Sequence, residues 1–198
     1  MQEKTLNLGD RKVFYREIEG AKTPVLFLHG KRFTSQDWLG QKVIDKLAAL
    51  GHRVIALDLP GYGQSDELNG LSFADFFTEL ETKLNLDNFC LVGPSFGGKI
   101  ALERAIKGDH KLSGLVVIAP AEVDNYLHVI HKVHIPVLIV WGEEDKVVPV
   151  EYASRLAAVL PQREVHIIRG RGHTCYFEEP ELYADIVINF LHRNMQNK

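Results

Sequence analysis

CLVGPSFGG occupies residues 90–98, and KIALERAIK follows at residues 99–107. The apolar run CLV is typical of a buried strand, while the second segment repeats its apolar residues with helical spacing. Between them Gly93 and Gly97 flank Ser95, which is what a sharp, strained turn from strand to helix requires. The spacing G-x-S-x-G in this setting predicts that the Ser95 hydroxyl projects from the end of a strand.

Ser95 is therefore a candidate nucleophile. It begins a predicted helix over residues 95–107, whose free N–H groups and positive dipole end would stabilise a developing oxyanion. The backbone N–H of Phe96, directly after the serine, is a candidate oxyanion donor. The alternative, a glycine-rich turn with a serine helix cap, would leave the motifs described below to coincidence.

Short β-branched or aliphatic runs alternate with helical stretches on both sides of this turn, a pattern typical of a mostly parallel sheet. The predicted strands lie near residues 3–8, 11–18, 24–29, 53–58, 89–93, 114–119, 136–141 and 164–169. The first two are expected to form an antiparallel hairpin through Gly9-Asp10. The predicted helices cover about residues 36–50, 72–85 and 95–107, and two more begin near Pro149 and Pro180. This order predicts an α/β fold with about eight strands and helices on both faces.

The 198 residues contain no repeat or low-complexity tract, so a single domain over residues 1–198 is expected. Only about 16 residues separate the strand ending near Ala119 from the strand starting near Pro136. That interval leaves no room for an inserted cap domain, and an open site is predicted.

Net charge and hydropathy limit the classes of binding partner that the sequence predicts. The formal net charge of −3 comes from interspersed acids and bases, and no basic run would follow a phosphate backbone, so no nucleic-acid partner is expected. No apolar run approaches the length of a membrane span, which predicts no membrane association and a cytoplasmic protein. Nothing in the composition indicates a protein partner.

Two cysteines, Cys90 and Cys175, are interpreted as free thiols because no secretory signal precedes them. Cys175 lies two residues after His173, which raises a catalytic role as an alternative. A small core or pocket residue is the favoured interpretation.

VLFLHGKRF at residues 25–33 is a predicted buried strand that ends in a His-Gly pair. In sheets of this kind the loops after the strands form ligand sites, and the second oxyanion donor belongs to such a loop. The backbone N–H of Lys31 is the candidate donor. His29 is interpreted as a structural residue that hydrogen-bonds the loop rather than as a proton carrier.

VLIVWGEEDKVVP at residues 137–149 places three carboxylates directly after another strand. Asp145 is the candidate acid that orients a catalytic imidazole. Glu143 and Glu144 are competing candidates, although a solvated loop face also explains them.

EVHIIRGRGHTCYFEEP at residues 164–180 ends a strand in a glycine-rich loop that carries His173. His173 follows the other two candidates and completes the order Ser, Asp, His. It is the candidate general base, and the remaining histidines, His110 among them, are interpreted as surface or packing residues.

On these motifs the chain resembles the α/β-hydrolase family over essentially its whole length, and DLPGYGQSD at residues 58–66 resembles the loop after its fourth strand. HGKRFTSQDW at residues 29–38 and GRGHTCYFEEP at residues 170–180 are similar to the small capless abhydrolase-domain-containing 14 group. This resemblance implies an esterase that acts on short activated acyl esters. Pro94 departs from many relatives, which have a larger polar or aromatic residue there.

The leading hypothesis is a serine hydrolase that cleaves small-molecule acyl esters through an acyl-Ser95 intermediate, with no cofactor and no metal. Phe33, Phe96 and Tyr176 are candidate pocket walls or core residues. Arg32 would contact an anionic group, such as a phosphate on a large acyl carrier, or form a surface salt bridge. The alternatives are acyl transfer, thioester or amide cleavage with the same triad, and a protein-binding module with incidental hydrolysis.

Overall fold

The computed structural model describes residues 1–108 and 111–195, so the interpretation of His110 lies outside the described residues. All eight predicted strands are present, with their ends within two residues of the predicted positions. They are β1 Gln2–Leu8, β2 Arg11–Ile18, β3 Lys22–Phe27, β4 His52–Leu57, β5 Phe89–Pro94, β6 Leu112–Ile118, β7 Val137–Gly142 and β8 Arg163–Ile168.

The strands form one sheet in the order β1-β2-β4-β3-β5-β6-β7-β8. β1 pairs with β2 in antiparallel register from Gln2↔Glu17 to Leu8↔Arg11, which confirms the predicted hairpin. β2 also runs antiparallel to β4, and every later pairing is parallel. Because parallel strands end at the same edge, the loops after β3, β5, β7 and β8 gather there.

In the described part of the chain, six helices cover the two faces of the sheet: α1 Lys42–Ala49, α2 Phe73–Lys83, α3 Ser95–Lys107, α4 Glu151–Val159, α5 Cys175–Glu178 and α6 Pro180–Met195. Alternate residues of each strand point to opposite faces, so Leu26 and Leu91 pack with α2, α3 and α4, while Val25 and Val92 pack with α1 and α6. Complete burial of each such aliphatic side chain contributes about 1.5–3 kcal/mol, which makes the central strands the rigid support of the edge loops.

The prediction of one helix over residues 36–50 is wrong. Thr34 and Asp37 form the expected capping box, but they cap a short 3-10 turn at Ser35–Trp38. Gly40 then takes a φ of +73°, which is incompatible with a continuous right-handed helix, and α1 begins two residues later at Lys42. The sequence pattern also missed the short helix α5, which precedes the helix predicted from Pro180.

Residues 119–136, between β6 and β7, contain only the short 3-10 turns Val123–Asn125 and Ile130–Lys132. No cap domain is inserted there, in agreement with the short interval in the sequence. Within residues 1–108 and 111–195, no helix combines the length and apolar character needed to cross a membrane.

Candidate active site

The turn from β5 into α3 holds Ser95 in a left-handed backbone conformation, with a φ of +50°. A Cβ atom on Gly93 would lie 2.4 Å from the Gly97 carbonyl oxygen, and one on Gly97 would lie 2.7 Å from the His29 carbonyl oxygen. Both positions therefore exclude any side chain. Strained backbone at a non-glycine residue is maintained where the surroundings leave no alternative, and here that residue is the candidate nucleophile.

Asp145 and His173 are brought together at the same edge. His173 Nδ1 lies 2.7 Å from Asp145 Oδ2, and the Asp145 side chain is completely buried. The other carboxylate oxygen, Oδ1, accepts the backbone N–H groups of Val147 and Val148 at 2.8 and 2.9 Å. An ionised carboxylate at Nδ1 favours the tautomer with its proton on that nitrogen, which leaves Nε2 unprotonated and able to accept a proton.

The two competing carboxylates lie elsewhere. Glu143 and Glu144 are exposed, and Glu143 Oε2 accepts the Gly170 backbone N–H at 2.9 Å. The structure therefore brings Asp145, of these three residues, to the imidazole.

The loop after β7 carries Asp145 and is here called the acid loop, and the loop after β8 carries His173 and is here called the base loop. Backbone hydrogen bonds join the two loops. The N–H groups of Glu143 and Glu144 donate to the carbonyls of Ile168 and Arg171 at 3.0 and 2.8 Å. A Cβ atom on Gly142 would lie 2.1 Å from the Gly172 carbonyl oxygen, so the loops touch where a side chain has no space. This close approach sets the position of His173 relative to Asp145.

The loop after β3 passes over the nucleophile. A Cβ atom placed on Gly30 would lie 3.8 Å from Ser95 Cβ, and Lys31 is the next residue. The Phe33 N–H donates to the Gly30 carbonyl at 3.0 Å and closes a turn around Lys31 and Arg32. Lys31 directly follows Gly30, so its N–H lies close to Ser95 in space. The Phe96 N–H is also close, because Phe96 directly follows Ser95 in the first turn of α3.

An open cavity of about 460 Å³ joins these elements. Ser95 and His173 both line it, although no hydrogen bond connects their side chains in the described part of the chain. Such bonds are often long before substrate binds. The remaining lining residues are Gly30, Lys31, Arg32, Phe33, Pro94, Val147, Thr174 and Tyr176.

The candidate pocket walls divide into two groups. Phe33 and Tyr176 line the cavity, and the buried Tyr176 ring packs on Trp38. The Phe96 side chain instead packs on Tyr62 and Phe73, away from the cavity lining. Arg32 and Lys31 are exposed at the mouth, beside the 67% exposed Val147.

A larger cavity of about 680 Å³ lies between α1 and α6 and includes Lys22 and His52, at the start of β3 and β4. It is thus at the opposite edge of the sheet. None of the residues singled out by the motifs lines it, so the smaller cavity is the candidate active site.

Both cysteines are free and buried, as predicted. Burial raises the pKa of the Cys175 thiol to about 12, because the thiolate would lose its hydration. A thiol with that pKa is a poor nucleophile at neutral pH, which supports the interpretation of Cys175 as a packing residue. In the ranges that the structure describes, no cluster of three or more His, Cys, Asp or Glu side chains is arranged to bind a metal.

Sequence reasoning assigned no role to Asp58. This buried carboxylate accepts the Ser35 N–H at 2.7 Å through Oδ1 and the Gln64 N–H at 2.9 Å through Oδ2. It therefore ties the loop after β3 to the loop after β4. An acidic residue directly after a buried strand was the available signal, as it was for Asp145.

Known proteins share this architecture. A family model described as "alpha/beta hydrolase fold" matches residues 23–131 and 122–180. "Protein ABHD14A" from Mus musculus is 34% identical over 195 residues, which cover 94% of this chain and 78% of that protein. The human protein named "Putative protein-lysine deacylase ABHD14B" is 31% identical over 205 residues, which cover 96% of this chain and 95% of that protein.

Among solved structures, a "predicted CIB-like hydrolase" from Thermoplasma acidophilum superposes with a TM-score of 0.90 at 26% identity, covering 97% of this chain and 98% of that one. The sequence match, the sheet order and this superposition all indicate the same fold over nearly the whole chain. The chain belongs to the α/β-hydrolase family.

Proposed function

We propose that this protein is a serine hydrolase that cleaves esters of small acyl groups through an acyl-Ser95 intermediate. The observation that carries the proposal is the Asp145–His173 pair, joined at 2.7 Å, whose imidazole shares a cavity with the strained Ser95. A serine hydroxyl becomes nucleophilic at neutral pH when an adjacent imidazole accepts its proton.

In the first half-reaction, Ser95 Oγ attacks the acyl carbonyl while His173 Nε2 accepts its proton. Asp145 stabilises the resulting imidazolium, and the N–H groups of Lys31 and Phe96 stabilise the tetrahedral oxyanion. Collapse of the intermediate breaks the ester bond, and His173 returns the proton to the leaving alkoxide. Water then attacks acyl-Ser95 by the same route and releases the acid. Each step uses groups of this chain, and none needs a cofactor.

The walls and the volume of the cavity support the proposal that the substrates carry small acyl groups. Its walls include Phe33, Pro94 and Tyr176, which offer apolar surface beside Ser95, and its volume of about 460 Å³ is within the range of ordinary small-molecule sites. A small-molecule acyl substrate is therefore the proposed partner.

A second candidate is removal of acyl groups from protein lysines. The human relative's printed name contains "protein-lysine deacylase", and the interval of residues 119–136 carries no cap that would exclude a protein-borne acyl chain. Amide and ester cleavage share the acyl-Ser95 intermediate, as does acyl transfer to an acceptor other than water.

The test of the nucleophile uses a fluorophosphonate probe on the wild type and on Ser95→Ala. We expect labelling of the wild type alone, with turnover of p-nitrophenyl acetate reduced by about 10⁶-fold in the variant. Labelling that survives in Ser95→Ala would contradict the proposal. Ser113→Ala is a matched control, because this half-buried serine donates to the Phe89 carbonyl at the start of β5.

The test of the substrate compares p-nitrophenyl esters from acetate to laurate with acyl-lysine peptides that carry the same acyl groups. The proposal predicts the highest kcat/KM for the shortest esters. Peptide deacylation with the higher kcat/KM would favour the second candidate. Probe labelling without any hydrolysis would indicate transfer to another acceptor.

A further inference from the structure

His29 is buried beneath the loop that carries the proposed oxyanion donor, and both of its ring nitrogens are engaged. The Leu59 backbone N–H lies 3.0 Å from Nε2, and the Gly30 carbonyl oxygen lies 2.9 Å from Nδ1. A backbone N–H can only donate, so Nε2 accepts and is unprotonated. The proton is then on Nδ1, which donates to Gly30.

The Gly30 carbonyl and the Lys31 N–H belong to one planar peptide unit, and in a trans peptide they point in opposite directions. The Gly30 oxygen is held by two donors, His29 Nδ1 at 2.9 Å and the Phe33 N–H at 3.0 Å. Fixing the oxygen fixes the direction of the Lys31 N–H. Across residues 1–108 and 111–195 that N–H has no acceptor within the protein, so it is available to a ligand.

We infer that His29 is a positioning residue for the oxyanion hole: its Nδ1–H orients the Gly30–Lys31 peptide so that the Lys31 N–H faces the oxyanion formed at Ser95. This inference rests on the proposed function. His29 itself touches no substrate, and its effect passes through the peptide bond.

The surroundings of the ring keep it neutral. Burial lowers the pKa of His29, and this outweighs the opposite effects of the Gly30 carbonyl, Asp58 and Asp37. The Tyr62 ring packs edge-on at 5.1 Å between centroids. A protonated ring would also lose its bond from Leu59, because Nε2 would become a donor facing a donor.

Two amide variants separate the two nitrogens. His29→Asn carries its amide nitrogen where Nδ1 stands and retains a donor for Gly30, whereas His29→Gln carries its carbonyl oxygen where Nε2 stands and retains an acceptor for Leu59. Each variant keeps one of the two hydrogen bonds, so a purely structural role would lower the thermal midpoint and kcat similarly in both.

For p-nitrophenyl acetate we expect His29→Gln to reduce kcat by about 10²-fold with KM within about twofold, because a misdirected oxyanion donor weakens binding of the transition state. His29→Asn is expected to keep kcat within about fivefold, although it loses the Leu59 bond and melts at lower temperature. The control is His52→Gln, because the half-buried His52 has its Nδ1 2.9 Å from the Thr23 carbonyl at the opposite edge of the sheet. Its kcat should equal that of the wild type.

Equal losses of kcat in the two variants, or an unchanged kcat in His29→Gln, would overturn the inference. If only His29→Asn folds, a loss of kcat above about tenfold overturns it, because that variant retains the donor to Gly30. The Lys31 amide resonance of ¹⁵N-labelled protein reports the same geometry without turnover. It should shift in His29→Gln and stay in place in His29→Asn. If the wild type fails to react with the fluorophosphonate while the Lys31 resonance behaves as expected, the proposed function fails and the orientation by His29 stands.

Discussion

Ser95 and the Asp145–His173 pair meet at one cavity, but the contacts that position them span very different distances along the chain. The elbow around Ser95 is shaped by Gly93 against Gly97, four residues apart. The pair joins residues 28 positions apart, and its two loops touch at Gly142 and Gly172. The absence of side chains at Gly93 and Gly97 is visible in a short sequence motif, so the turn at Ser95 can be predicted from the sequence. The contact between the two loops depends on the arrangement of the whole sheet, so it can be established only from the structure.

Within the Asp145–His173 pair, the largest expected effect tests which carboxylate orients the imidazole. Asp145→Asn should reduce kcat for p-nitrophenyl acetate by about 10⁴-fold, since an amide supports the wrong imidazole tautomer. Glu144→Gln is the matched control and should change kcat by less than about threefold, because Glu144 is exposed and its backbone, not its side chain, bonds the base loop. A greater loss in Glu144→Gln would show that the carboxylate nearest the imidazole in the structure is not the working one.

The next effect compares the two close approaches directly. Gly93→Ala and Gly142→Ala would each place a methyl group against a backbone carbonyl oxygen, at 2.4 and 2.1 Å. We expect each to lower the free energy of unfolding by about 3 kcal/mol, measured by urea denaturation. In Gly172→Ala the nearest atom is the Glu178 side-chain oxygen at 3.6 Å, an ordinary contact, so a change within about 1 kcal/mol is expected. A neutral Gly142→Ala would show that the two loops are not fastened where the structure has them.

The same division explains how much the sequence could predict. All eight strands and the turn at Ser95 follow from short-range apolar runs and glycine spacing. The helix predicted over residues 36–50 was wrong because the apolar spacing continued through Gly40, whose positive φ breaks the helix. Among Glu143, Glu144 and Asp145 no local pattern decides, because the choice depends on the approach of β8's loop. The cavity walls were predicted in part: Phe33 and Tyr176 line the cavity, whereas the half-buried Phe96 packs on Tyr62 and Phe73, which only tertiary packing determines.

A smaller effect concerns the pH dependence of stability through His29, whose carbonyl oxygen lies against Gly97 in the turn that holds Ser95. The folded-state pKa of His29 is below its ordinary value of 6.5, so the unfolded chain takes up the proton first as pH falls. The stability contributed by the neutral ring is complete above about pH 6.5 and is lost below it, by at most about 1.4 kcal/mol per pH unit. Urea unfolding at about pH 7.5 and about pH 5.5 should therefore show a larger acid loss for the wild type than for His29→Gln. An equal loss in the two proteins would mean that His29 titrates alike in the folded and unfolded chains.

The smallest expected effect concerns Cys175, the buried thiol two residues after His173, the proposed base. With its pKa raised to about 12 by burial, only about one molecule in 10⁴ carries the thiolate at about pH 8. Iodoacetamide should leave the native protein unmodified, and Cys175→Ala should keep kcat within about threefold.

Cys90→Ala is the matched control, because Cys90 is equally buried in β5 and the two variants should lose similar stability, about 1 kcal/mol. If Cys175→Ala lost kcat by more than about 100-fold at equal stability, the thiol would take part in the chemistry. The loop after β8 would then supply a nucleophile as well as a base. In that case Ser95 would not be the nucleophile, and the comparison between a locally formed turn at Ser95 and a long-range Asp145–His173 pair would no longer describe the site.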